Sequence, residues 1–158
     1  MMRNLGIYFL VVVLMVAFSG IASAQDKPAD NMELVKEKVR ADKKLFIAEN
    51  MQLSEAEGKA FWPVYESFQA DMEKIYDRMG KLITNYAKNY QTMTDATAKQ
   101  LIDEWLVIQA DELNLRKSYL PKFRKVLSEV KVARYYQIEN KIDSIGNYAM
   151  AAKIPLFK

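Results

Sequence analysis

The stretch Leu53–Tyr86, LSEAEGKAFWPVYESFQADMEKIYDRMGKLITNY, decides the fold. Phe61, Tyr65, Phe68, Met72, Ile75, Met79, Leu82 and Tyr86 recur within it at alternating spacings of four and three. Eight apolar residues in that register describe one continuous helical seam of the coiled-coil type. With 51% of the chain apolar, such a register fills by chance roughly once in a few hundred attempts. Ser54 stands where it can cap the helix, Glu57 completes a capping box, and Leu53 can pack back as a staple.

Reading outward, helical signals continue on both sides. A first helix is expected near Met32 to Asn50, with Val35, Val39 and Phe46 on one face and Lys36, Glu37, Lys43 and Lys44 outside it. Thr94-Asp95 opens a third helix, whose stripe runs Leu101, Trp105, Ile108, Glu112, Leu115 and Tyr119, with one carboxylate breaking an apolar seam. A fourth starts near Ser128 and carries Tyr135, Ile138, Ile142, Ile145 and Ala149 on one face; the apolar tail Ile154 to Phe157 is expected to fold back onto a helix. No Asn-Gly or Asp-Gly turn and no sustained alternation marks a strand. The fold class is therefore all-α: four main helices in a bent long-helix hairpin. Kinks are expected near Pro63 and Pro121, each of which removes a helical donor.

The chain's start reads as an address. Residues 1–24 carry Arg3, an apolar run from Leu5 to Phe18, and the small residues Ala22-Ser23-Ala24, the order of a cleavable secretory signal cut between Ala24 and Gln25. The run falls short of the roughly 20 residues that span a bilayer, so no stable membrane insertion is expected after cleavage. Residues 25–31, polar and containing Pro28, read as a flexible lead, and 32–158 as a single all-helical domain. The chain has no Cys, so an exported fold would be held by helix packing alone. Losing Arg3 lowers the formal charge from +3 to +2, too near neutral to argue for nucleic acid as a partner.

A second stretch repeats part of the first. Leu127-Ser128-Glu129 matches Leu53-Ser54-Glu55 at an offset of 74 residues, and Tyr135-Tyr136 falls over Phe61-Trp62. Any two capped amphipathic helices can share this grammar of staple, cap, acid and aromatic pair. The two stretches also resemble the paired LTxxQ motifs of the Spy/CpxP family of periplasmic proteins. Leu53-Ser54 and Leu127-Ser128 stand at the Leu-Thr positions, while Glu57 and Lys131 stand where the family has Gln. The resemblance implies a periplasmic location, a bent four-helix hairpin that forms a homodimer, and work as an ATP-independent chaperone or envelope-stress adaptor. Some members bind metal through His and Met. This chain has no His, and its Met residues are spaced like core residues, so no metal is expected.

Charge is uneven along the second half. Asp95, Asp103, Glu104, Asp111 and Glu112 outnumber Lys99, whereas Arg116, Lys117, Lys122, Arg124, Lys125, Lys131 and Arg134 are opposed only by Glu129. A solvated surface and the helix dipole account for such a pattern. The functional alternative is a protein-binding surface of Trp62, Arg116, Lys117, Arg124, Lys125, Lys131, Arg134, Tyr135 and Tyr136, which would draw in unfolded or acidic envelope proteins. A structural or regulatory module binding one folded envelope partner is the other reading. Without His or Cys, a hydrolase would need a Ser-Lys pair or paired carboxylates in a recognisable setting, and no such motif is present. Neither is a Gly-rich phosphate loop, so no enzyme activity and no cofactor are expected.

Overall fold

A computed structural model describes residues 28–157, and the expected secretory signal, its expected cleavage position and residues 25–27 lie outside them. Four α-helices follow one another: α1 Pro28–Met51, α2 Glu55–Asn89, α3 Asp95–Arg124 and α4 Glu129–Ala151, with a 3-10 turn Tyr90–Thr92 between α2 and α3. The protein is all-α, and no strand occurs among the described residues. Helix α1 begins earlier than Met32, at Pro28, whose fixed φ and missing N–H suit a first helical position. Helices α2 and α3 run unbroken through Pro63 and Pro121. Gln52 joins α1 to α2 at φ 50°, the left-handed conformation that commonly ends a helix.

Contacts divide the described residues into two compact units: residues 28–52 with 133–155, and residues 53–132 with 156–157. In the second, α2 and α3 form an antiparallel hairpin. Ring contacts pair Phe61 with Phe123 and Phe68 with Tyr119, and Arg78 reaches Asp111 and Glu104, so position falls along α3 as it rises along α2. The seam read from the sequence is the buried one. Phe61, Tyr65, Phe68, Met72 and Ile75 are buried, while Met79, Leu82 and Tyr86 are half-buried towards the helix end. The tail returns to this unit, where the Leu156 carbonyl accepts the Tyr90 hydroxyl at 3.3 Å and Phe157 lies against Tyr86.

In the first unit, Lys43 pairs with Glu139 and Arg134 donates to the Asn50 carbonyl, so α1 and the later part of α4 also run antiparallel. The inward face of α1 differs from the one read in the sequence. Ile47 and Met51 are buried, Lys43 turns inward, and Phe46 is exposed. The apolar signal in α1 is sparse, and a buried charge pair holds a place that a hydrophobic period would assign to an aliphatic residue.

Helix α3 brings a second correction. Leu101, Ile108, Tyr119 and Phe123 form its buried face, and Trp105, read as part of that seam, is 47% exposed. Glu112, the carboxylate that interrupts the stripe, is half-buried and receives Arg116 at 2.8 Å.

Candidate functional site

The two Leu-Ser-Glu stretches meet, and the residues that depart from the LTxxQ pattern are the ones in contact. Ser54 caps α2, its Oγ accepting the Glu57 N–H at 3.3 Å while its own N–H donates to Glu57 Oε2 at 2.8 Å, which is a complete capping box. The Lys131 ammonium donates to the same Oε2 at 2.5 Å. At the start of α4, Ser128 Oγ accepts the Lys131 N–H at 3.4 Å, and Leu127 is buried beneath it. The 74-residue offset read from the sequence is thus realised as a spatial pair: equivalent positions of the two stretches carry opposite charges and bind each other.

The pair has a pH signature. The Lys131 hydrogen bond, then the backbone and hydroxyl of Ser54, hold the Glu57 carboxyl down to about 2, against an ordinary value of 4.5. A depressed carboxylate contributes stability that is fully present above its unfolded-state value and is lost as protons return to it. The advantage of the wild type over Glu57→Gln is therefore expected to persist at neutral pH and to shrink as pH falls from 4.5 towards 2. Thermal unfolding of both proteins across that window measures it. The double variant Glu57→Gln/Lys131→Gln is expected to recover much of the loss seen in Lys131→Gln alone, because a side-chain amide at position 57 can still accept the Ser54 N–H and bond a second amide at position 131.

The remaining residues of the sequence-derived surface divide between the units. In the second unit, Lys117 and Lys125 are exposed on α3 and just beyond it. Arg124 bonds Glu129, Arg116 bonds Glu112, and Lys131 is committed to Glu57. Lys122 sits 3.7 Å from the Tyr119 ring centroid. Trp62 is half-buried, edge-on to Phe61 and Tyr65 at 5.0 and 5.4 Å. In the first unit, Arg134 is exposed and Tyr136 half-buried. Tyr135 is a correction: it is fully buried, because it occupies the same inward row of α4 as Ile138 and Glu139. A residue in that row packs and does not meet a client.

The exposed face that the sequence reading missed lies on α3. Ile102, Trp105, Leu106 and Leu113 are 55, 47, 54 and 52% exposed. Ile102, Leu106 and Leu113, spaced four and seven apart, share one stripe of the helix beside the Leu101–Ile108–Tyr119 side, and Trp105, four residues from Leu101 and three from Ile108, stands at the border between the two. Exposed apolar patches larger than a few hundred Å² mark interaction surfaces on soluble proteins. Lys117 and Arg124 continue the same side towards the C-terminal end, while Asp95 and Asp103 flank it at the other.

Three further features limit the chemistry. An open groove of about 480 Å³ between α2 and α3 is lined by Arg78, Leu82, Asn85 and Glu104, but its Arg78 is already held by Glu104 and Asp111. Asp71 accepts the Tyr119 hydroxyl at 2.7 Å, and burial followed by this bond pushes the phenol up to about 12. Among the described residues, no cluster of His, Cys, Asp and Glu could hold a metal, and no helix is long and apolar enough to cross a membrane. No family model, curated protein or solved structure matches the chain.

Proposed function

We propose that the chain is an exported, periplasmic helical binding protein that captures acidic or partly unfolded envelope proteins transiently and without ATP. The observation that carries this reading is the α3 face, on which Ile102, Trp105, Leu106 and Leu113 stand half-exposed and run into Lys117 and Arg124. Amphipathic contact of this type suits release without a chemical energy source. Each half-exposed side chain gains only part of its burial energy, and the cations speed encounter with acidic segments without fixing one geometry. Trp and long cationic stems are also the side chains that adapt to unrelated partners.

Suppression of aggregation of several unrelated unfolded proteins tests the reading. The mature chain is expected to suppress most of them at near-stoichiometric ratios, less well at high salt, and Trp105→Ser/Leu106→Ser is expected to lose most of the effect with helicity unchanged. Suppression limited to none or one of the clients overturns it and leaves a module dedicated to one folded partner.

A further inference from the structure

The tail shows what the end of α2 can bind, because it is already seated there. The Ile154 N–H donates to the Met150 carbonyl at 3.1 Å, and Pro155 has no N–H with which to continue the turn. Residues 155–157 then run outside any helix, and Leu156 and Phe157 belong to the second unit. There the Tyr90 hydroxyl donates to the Leu156 carbonyl at 3.3 Å, and the Phe157 ring lies 6.1 Å from the ring of Tyr86, itself 6.0 Å from Tyr90. Tyr86 stands in the last turn of α2 and Tyr90 at its C-cap, so the helix end fixes both rings. We infer that these two tyrosines form a docking seat for non-helical segments of other proteins that carry Pro-x-aromatic, in competition with this chain's own Pro155-Leu156-Phe157.

The contacts define which features of a segment are read. Tyr90 takes a main-chain carbonyl, which any residue offers, and Tyr86 takes an aromatic ring one position later. The Leu156 side chain is 90% exposed, so the position between proline and aromatic is not read. Proline fixes its own φ and restricts the residue before it, and a segment that carries one loses less freedom on seating. The tail's own hold is slight. It consists of a hydrogen bond in exposed surroundings and a ring that is still 48% exposed. The tether holds it in place, with an effective concentration on the order of millimolar, and a free segment of better fit displaces it. Space for a better fit lies alongside. Leu82, one turn before Tyr86, lines the open groove of about 480 Å³, and none of the described tail residues lines it. A segment that seats its aromatic on Tyr86 and runs on into the groove makes contacts that the tail leaves open. Gln100, Glu104 and Val107 form the α3 wall of that groove, turned away from the Ile102–Leu106–Leu113 stripe. The seat is therefore separate from the capture face and does not rest on the function proposed above.

Titration of the isotope-labelled chain with synthetic peptides, read at the backbone amides of residues 86–92 by NMR, tests the seat. Phe157→Ser frees it without touching either tyrosine. The peptide Lys-Ile-Pro-Leu-Phe-Lys is expected to shift those amides saturably in Phe157→Ser, and to bind the wild type about fivefold more weakly because the tethered tail competes. A peptide with Ser in place of its Phe is expected to cause no shift, and one with Ser in place of its Leu to bind within about twofold of the parent, as the exposure of Leu156 requires. Tyr90→Phe/Phe157→Ser, with helicity unchanged, is expected to bind the parent peptide about fivefold more weakly through loss of one hydrogen bond. Absence of any shift at residues 86–92 in Phe157→Ser overturns the seat, and equal binding by the wild type and Phe157→Ser overturns the competition. Loss of binding by the Leu-replaced peptide overturns the Pro-x-aromatic pattern, and undiminished binding by Tyr90→Phe/Phe157→Ser overturns the recognition of the carbonyl.

Discussion

Replacing Lys43 by Met is expected to destabilise the protein by about 3 kcal/mol or more, a large effect for a lysine in a helix that looks solvated. The Lys43 ammonium lies 2.8 Å from Glu139 Oε2, and the two side chains are 9 and 1% exposed. Removing the cation leaves the buried carboxylate without that partner in a site where its desolvation is no longer offset. The loss therefore exceeds the worth of the bond itself. Lys43→Met/Glu139→Leu is expected to return to wild-type stability or above it, because two apolar groups of similar volume need no desolvation. Urea unfolding followed by helical circular dichroism separates the cases: the midpoint should fall for the single variant and recover for the double, with an unchanged slope. A single variant as stable as the wild type would show that the pair contributes nothing.

That pair also marks where the sequence stopped being readable. The long seam of α2 was legible because eight apolar positions leave no other face to bury, and each of the five deepest is buried as expected. The caps were legible because Ser54 with Glu57, and Thr94 ahead of Asp95, are local chemistry that needs no tertiary knowledge. Lys43 and Glu139 were not. A charged residue at an inward register reads as a break in the pattern, and only its partner, 96 residues away, makes the position tolerable. A weak signal did exist, since Glu139 lies four residues from Tyr135 and three from Ile142 on the face assigned to the core.

The candidate site was legible in composition and misplaced in geometry. Helix α3 carries two apolar stripes, one formed by Leu101, Ile108, Tyr119 and Phe123 and the other by Ile102, Leu106 and Leu113, with Trp105 at the border between them. Periodicity alone cannot say which side meets α2 or how wide the contact is, and a spacing of four from Leu101 led to Trp105, which stands at the border of the buried side and is 47% exposed. Tyr135 erred in the opposite direction, because the exposed Arg134 beside it in sequence lies on a different side of the helix. The Glu57–Lys131 contact had a clear sequence signal, opposite charges at equivalent positions of two similar stretches, but sequence similarity does not show that two segments touch.

The register of α3 makes the second large prediction. Phe123 is fully buried, and its ring lies 5.8 Å from Phe61, 5.9 Å from Phe68 and 6.4 Å from Tyr119, so it joins both helices of the hairpin. Its carbonyl also accepts the N–H groups of Val126 and Leu127, which anchors the turn before α4. Phe123→Ala should cost about 4 kcal/mol, from lost transfer energy and the cavity left among three rings. Phe123→Leu keeps most of the volume and should cost less than half as much. Trp105→Ala removes a larger ring from the same helix, yet its half-exposed position should hold the loss below about 1 kcal/mol in dilute protein. Chemical unfolding of the three variants compares them directly. A costly Trp105→Ala beside a mild Phe123→Ala would mean that α3 meets α2 through the Trp105 side, and the exposed face proposed for capture would then be part of the core.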